Sequence, residues 1–417
     1  MASRFDYYRH CLHPVQELRF HRPLVLMQSD DWGLLGLRNL ESFQRLRRKG
    51  LPLGKGAYDY YSFETANDLY ALCEILNRHQ DSAGNPPVLV CNFVLANVDF
   101  PLALASDLCE LPLKPLHEGL PQPWSEESTL AMGKPGIMQG LLYPALHGIS
   151  HFCYPAVKKI LTDRGARALT LRWLYEEGTS LVYPQTPWVG FEFKDEGDIL
   201  PSTWLQRQEQ ERVVQRGVAM FAETFGKVPL SACAPGYRAN PDTFRAWADH
   251  GLRVVQNGPG IEAPPYLGPY GLLYLHRNVP FEPALDLAFH DLENVYQTAA
   301  RHLRSGRPAI LCIHSINFQS RLKNFRDRTL ALLDELLNRL EREFEDLLYV
   351  HDENLWQIVQ LGAYTTKGVT VEVPVDRTLR TSPLIKHIAR QRIANLSRCG
   401  RIDDSHSATT FVHSSAR

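Results

Sequence analysis

Short apolar runs alternate with amphipathic segments along most of this chain, and that alternation is the strongest constraint on its fold. "PLVLMQ" (23–28), "PPVLVCNFVLANVDF" (86–100), "VPLSACAP" (228–235), "LRVVQNG" (252–258) and "RPAILCIHS" (307–315) read as buried strands. Helical patterns lie over 41–50, 62–81, 155–177, 204–225, 240–252, 287–306 and 326–344. "DLLYVHDENLWQIVQLG" (346–362) adds a last strand and helix. Within 62–81, Leu69, Leu72, Cys73, Ile75 and Leu76 recur at helical spacing. Asn240 followed by Pro241 is a helix start: the side chain accepts from first-turn amides, and proline suits the first helical position. Gly50 and Gly306 stop their helices. Strand–helix alternation means parallel strands with helices outside, an α/β fold. Six to eight such units fit a barrel of about 250 or more residues with insertions.

Residues 101–145 are rich in proline and glycine and resist assignment, and no internal repeat is evident. The domain reading is a barrel over 1–365 and an Arg/Ser-rich C-terminal appendage over 366–417. The appendage is poor in large apolar residues, with one short helix expected near 383–396 and the rest mobile.

Composition excludes several classes of partner. The formal net charge is -1 over 417 residues, so no global field draws the chain to nucleic acid or an anionic membrane. No window approaches 18 consecutive apolar residues, which argues against a membrane span. The N-terminus, "MASRFDYYRHCLHPVQELRF", lacks the charged and apolar regions of a signal peptide. Eight scattered cysteines form no CxxC pair and read as reduced core thiols. The expected location is the cytoplasm; the oligomeric state is open.

In parallel α/β folds, functional groups gather at the C-terminal ends of strands. The polar residues there are Asp30 and Asp31, Asn97 and Asp99, Tyr237 and Arg238, and His314 and Asn317. Asp30 and Asp31 are adjacent acids ending an apolar run, and burying both is costly unless something pairs with them. His147 and His151 have an HxxxH spacing that would put two imidazoles one helical turn apart. Two histidines plus a carboxylate, with a position left for water, is a recurrent catalytic zinc arrangement. One aspartate would then bind the cation and the other would take a proton from water. Blander readings compete. His147 packs equally well against Tyr143 and Phe152 as a core histidine, and Asn97 and Asp99 suit an ordinary turn. Aromatic residues in 57–63 and 184–193 stack on sugar rings or cover core.

In order and spacing, these pieces resemble the polysaccharide deacetylases, the NodB-homology carbohydrate esterases. Ser29-Asp30-Asp31-Trp32-Gly33 resembles their first motif, with Trp32 inserted before the glycine. His147-Gly-Ile-Ser-His151 resembles their second, with Gly148 at the Ser/Thr position. "CAPGYRAN" keeps Pro235 and Tyr237 of the third motif; its arginine position is empty, and Arg238 follows instead. "LCIHS" supplies His314 for the last, and the acid that orients this histidine has no counterpart. The resemblance implies a distorted (β/α) barrel of about seven parallel strands and a divalent metal, usually zinc. It implies Asp31, His147 and His151 as metal ligands, Asp30 as general base and His314 as general acid. Backbone near Tyr237 would hold the oxyanion. Arg238 and Asn97 would face substrate, and Trp32 would shape the pocket. The expected activity is removal of an N-acetyl or O-acyl group from a carbohydrate or glycoconjugate. A hydrolase of a small non-sugar amide and a catalytically lapsed saccharide-binding barrel are the alternatives.

Overall fold

The computed structural model describes residues 12–127, 129–180, 189–193 and 203–383. Its centre is a parallel sheet of β1 (Leu24–Trp32), β2 (Leu89–Val94), β3 (Leu142–Gly148), β4 (Ser231–Cys233), β5 (Val254–Asn257), β6 (Leu273–His276), β7 (Val279–Pro280) and β8 (Ala309–His314). The spatial order is β7-β8-β1-β2-β3-β4-β5-β6, and every neighbouring pair is parallel. All nine residues of β1 are buried, as expected of a strand covered on both faces.

The sheet closes through one strand that changes partner. Only Arg277 and Asn278 separate β6 from β7. The Arg277 amide donates to the Asn257 carbonyl on β5 at 3.0 Å, and the Asn278 amide donates to the Ile310 carbonyl on β8 at 3.2 Å. The segment thus bonds one edge of the sheet and then the other. Counted as one strand, it makes a seven-stranded barrel, in line with the expected α/β architecture.

Helices wrap the outside. In the helix Arg326–Glu343, Leu330, Leu333, Leu336, Leu337 and Leu340 are buried on one face, each worth about 1.5–3 kcal/mol relative to exposure. The expected helix over 155–177 is two helices, Tyr154–Asp163 and Ala166–Glu176, broken where Arg164 adopts a left-handed φ of 50°. The unassigned stretch 101–145 contains the helix Thr129–Met138 and the start of β3.

The sheet extends beyond the barrel. Val15–Phe20 pairs antiparallel with both Tyr266–Leu267 and Val375–Arg380. Residue 365 lies within a hairpin of Ala363–Thr366 and Val369–Glu372, and Tyr364, Val371 and Val373 are buried with the barrel's strand residues. The chain therefore stays in β structure well past the boundary placed at 365. The helix placed near 383–396 falls almost wholly outside the described residues. Among the described residues, no helix is long and apolar enough to cross a membrane.

Inside the barrel an apolar layer of Leu24, Leu26, Val254, Leu273, Leu275 and Ile310 is followed by a polar one. Gln28 donates to Asp352 at 2.7 Å, and Gln256 donates to the other oxygen of Asp352 at 2.6 Å. Asn92 and Arg277 each donate to the Gln256 carbonyl oxygen at 2.8 Å, and Arg277 also reaches Gln28. Asp352 is fully buried at the start of the helix Asp352–Leu361, beside Gln28 in the middle of β1. A hydrogen-bonded layer therefore links Asp352 to Arg277 across the middle of the barrel, at a level that branched aliphatic side chains fill in most such folds.

Candidate metal and acid-base site

The two adjacent aspartates both come within ligand spacing of His147 because β1 bulges. Against β2, Ser29 pairs with Cys91 and Trp32 with Phe93, so three steps on β1 match two on β2. The extra residue breaks the alternation that would send Asp30 and Asp31 to opposite faces. Asp31 carries the distortion, with a left-handed φ of 72°, which costs an L-residue about 1–2 kcal/mol. Gly33 follows at φ 82°, and a Cβ there would sit 2.9 Å from the Val94 carbonyl oxygen.

Asp31 faces two histidines. Its Oδ1 lies 3.3 Å from Nε2 of His147 and 3.3 Å from Nε2 of His151. Neither Asp31 Oδ1 nor His147 Nε2 has a hydrogen-bond partner, although both are buried. Close approach without hydrogen-bond geometry is what ligands converging on a common point produce. Ligands about 2.1 Å from a tetrahedral centre stand about 3.4 Å apart, so the spacing fits. His147 Nδ1 donates to the Cys233 carbonyl at 2.8 Å. That bond puts the proton on Nδ1 and leaves the Nε2 lone pair aimed at Asp31. The site opens to solvent at His151, whose side chain is 21 % exposed. One carboxylate oxygen and two imidazole nitrogens suit a divalent cation of the zinc type.

The expected helical HxxxH is not helical. His147 ends β3 and His151 lies in the loop beyond it, after a turn in which Gly148 takes φ 135°. The ring centroids still approach to 5.5 Å. A second cluster, Asp30 with His147 and Cys233, is also within metal-ligand spacing. It fits a cation poorly. Arg277 already holds Asp30, and burial pushes the Cys233 thiol far above its usual pKa, keeping it protonated.

Asp30 looks the other way. Arg277 donates to both its oxygens at 2.7 Å, Asn92 donates at 2.8 Å, and Arg277 and Asp30 are each 1 % exposed. Burial alone would raise the Asp30 pKa; the Arg277 charge, with His147 and His314, outweighs it and holds the group at about 2. Asp31 follows the same pattern. Burial opposes its charge, and His151 and His147 pull its pKa well below the usual carboxylate range.

The parallel register puts His314 opposite Asp30 on the adjacent strand, with Nε2 3.9 Å from Asp30 Oδ2. His314 Nδ1 donates to Glu282 at 2.5 Å. Asn317 donates to the second Glu282 oxygen and to the His314 carbonyl, locking the pair. Burial disfavours the imidazolium, but Glu282, Asp31 and Asp30 outweigh it and raise the His314 pKa well above its usual value. Tyr58 and Tyr237 flank the ring edge-on, with centroids at 6.0 Å and 6.4 Å.

Arg277 and Glu282 were missed from the sequence. Arg277 supplies the guanidinium beside Asp30 that "CAPGYRAN" does not, and Glu282 is the acid beside His314. Both come from "HRNVPFE" (276–282), read as neither strand nor site. The apolar run "GLLYL" just before it was the available signal.

Several expected residues do other work. Trp32 is 1 % exposed, donates to Ser29 Oγ at 2.9 Å and packs between Phe93 and Phe318, so it belongs to the core rather than to a pocket wall. Asn97 is buried, donates to the Gly33 carbonyl and accepts from the Leu35 amide, so it braces the loop instead of facing substrate. Asp99 caps the short helix Phe100–Ala105. The Tyr237 amide donates to the Ala234 carbonyl at 2.8 Å and is not available to an oxyanion. Its hydroxyl lies 3.2 Å from both Arg277 and Cys312. A Cβ on Gly258 would stand 2.5 Å from the Tyr237 ring, so glycine there makes room for it. Arg238 is exposed beyond the turn Pro235–Tyr237, and the buried partner of Asp30 is Arg277 instead. The six cysteines within the described residues are free thiols.

No family model and no curated protein matches the chain. Among solved structures it is similar to a protein assigned as a polysaccharide deacetylase from Mycobacterium smegmatis, at 12% identity and TM-score 0.44, over 84% of this chain and 95% of that one. It is similar to a family 4 carbohydrate esterase from Streptomyces lividans, at 10% identity and TM-score 0.34, over 78% and 90% of the two chains. An allantoinase matches at 11% identity and TM-score 0.43, over 81% and 90%.

Proposed function

We propose that the chain is a metal-dependent hydrolase that removes an acyl group, N-acetyl in the first instance, from a carbohydrate or glycoconjugate. The observation that carries the proposal is the meeting of Asp31 Oδ1 with the Nε2 atoms of His147 and His151 at 3.3 Å, beside an aspartate and a histidine held for proton transfer. Asp31, His147 and His151 would hold the cation, most simply Zn²⁺. A cation there supplies Lewis acidity, lowering the pKa of water and polarising an acyl oxygen.

The chain's own groups do the rest. Asp30 accepts the proton of the attacking water, and Arg277 fixes its orientation from behind. Because Arg277 keeps the Asp30 pKa near 2, this base works through position more than through strength. His314 is held protonated by Glu282 and donates to the departing amine or alkoxide. Tyr58 and Tyr237 close the sides of the His314 ring against solvent.

A second reading is a saccharide-binding barrel without turnover. The full engagement of both Asp30 oxygens by Arg277 favours it. Incubation of zinc-loaded protein with N-acetylated chito-oligosaccharides, with released acetate assayed, decides between them. The proposal expects zinc-dependent acetate release that is lost in His314→Ala. Saturable binding of the oligosaccharides with no acetate would support the second reading.

A further inference from the structure

The aromatic segment "AYDYYSFE" (57–64) has no part in the roles assigned above apart from Tyr58. It runs behind the metal and acid-base residues. Tyr61 is fully buried, and its hydroxyl donates to the Asp31 carbonyl at 2.8 Å. The same hydroxyl lies 2.9 Å from Ser315 Oγ, with Ser315 the residue after His314. With its proton given to Asp31, the Tyr61 oxygen accepts from Ser315. One phenol thus links the backbone of the Asp31 bulge to the end of β8.

The rest of the segment is pinned to the same strand end. The Ser62 amide donates to Gln319 Oε1 at 2.9 Å, and Gln319 Nε2 donates to Glu64 at 2.9 Å. Ser62 Oγ donates to the Leu37 carbonyl, and the Leu37 amide donates to the Tyr61 carbonyl, tying the segment to the loop after β1. The Asp31 carbonyl has one further donor, the Leu34 amide, at a longer 3.2 Å. A non-glycine residue in left-handed backbone persists only where its surroundings hold it. Here the shorter of these two bonds to the Asp31 carbonyl comes from Tyr61.

We propose that Tyr61 is a positioning residue for the metal site. Its hydroxyl fixes the left-handed backbone of Asp31, aims that carboxylate at His147 and His151, and sets its spacing from His314 through Ser315. This inference rests on the metal reading of the site. Outer partners that orient ligands typically change metal affinity roughly 10–100-fold when removed.

The test is Tyr61→Phe in the full chain, which keeps the ring and its packing and removes only the hydroxyl. Zn²⁺ affinity is measured by competition with a chelating dye, and Co²⁺-loaded protein is compared by visible absorption. Tyr143→Phe is the control: it loses a tyrosine hydrogen bond to Glu353 on a residue outside the site. The expected result is Zn²⁺ affinity roughly ten-fold weaker in Tyr61→Phe, with an altered Co²⁺ spectrum and native near-ultraviolet circular dichroism. Ser315→Ala shifts both readouts in the same direction, and Tyr143→Phe shifts neither. Should Tyr61→Phe misfold, Ser315→Ala carries the same test. Wild-type binding with unchanged affinity and spectrum in both Tyr61→Phe and Ser315→Ala would overturn the inference alone. A wild-type protein that binds neither ion would overturn the metal reading and this inference with it.

Discussion

Arg277 grips Asp30 through two 2.7 Å hydrogen bonds, and both residues are almost fully buried. Removing one partner of such a pair leaves an uncompensated buried charge, at a cost of about 3–5 kcal/mol. Arg277→Ala is therefore expected to lose about that much stability in urea unfolding. Arg277→Lys should recover only part of it, since an ammonium cannot reproduce the forked contact. Recovery of full stability by lysine would show that charge alone matters there.

Asp30→Asn separates the roles of the two aspartates. Asparagine keeps the shape of the side chain, and Asp31, His147 and His151 are untouched. Zinc content should stay at the wild-type level, with acetate release falling about a hundred-fold or more. If Asp30→Asn strips the metal instead, the roles within the pair are reversed.

Glu282 controls the charge on His314. Burial alone would lower the His314 pKa, but Glu282, Asp31 and Asp30 raise it, so the imidazolium persists well above the usual histidine range. Glu282→Gln removes the largest raising influence, and the His314 pKa must fall. In a pH titration followed by proton NMR, the His314 ring signals of the metal-free variant should titrate at lower pH than those of the wild type. The alkaline limb of the rate profile should move the same way. An unchanged His314 titration would contradict the pairing.

Glu64 is fully buried, and burial raises its pKa from 4.5 to about 7 against the opposing bond from Gln319. The native state thus holds this proton more tightly than the unfolded chain. Its favourable contribution is complete below about pH 4.5 and is lost as pH rises through about 7. The shift corresponds to about 3 kcal/mol. Glu64→Gln should flatten that part of the stability profile, so that the variant is more stable relative to wild type at pH 8 than at pH 4.5. Denaturant unfolding at the two pH values measures it, and an equal difference at both would refute the assignment.

Gln256 joins three groups inside the barrel, accepting from Asn92 and Arg277 and donating to Asp352. Gln256→Leu is close in size but removes one partner from each, while Asn92 and Arg277 keep their bonds to Asp30 and Asp352 keeps its bond from Gln28. With about 1–3 kcal/mol for a buried polar group left unsatisfied, and more for a charged one, the lost bond to the second Asp352 oxygen should cost about 2 kcal/mol. A stability loss below about 1 kcal/mol would show that the layer reorganises around the gap.

The alternation of strands and helices was legible because buried parallel strands are continuous apolar runs, as in "PLVLMQ" and "RPAILCIHS". Asp30, Asp31 and His314 were legible as polar residues at the ends of such runs, and His147 and His151 by their spacing; the structure brings the five together. Arg277 and Glu282 were not, because the strand that carries them is split into β6 and β7 where it changes partner. Trp32 was misjudged because its neighbours in sequence line the site while a bulge and a tight turn send its ring into the core. The bulge itself left no mark in the sequence beyond the two adjacent acids, which a regular strand would have pointed to opposite faces.

Asp31, His147 and His151 are expected to hold one metal ion between them. Elemental analysis of purified protein, after equilibration with Zn²⁺ and removal of free ion, measures this. One zinc per chain is expected in the wild type and a substoichiometric content in His147→Ala and His151→Ala, with both variants folded. A wild-type protein without zinc, or alanine variants that retain a full equivalent, would rule out a site built from these three residues.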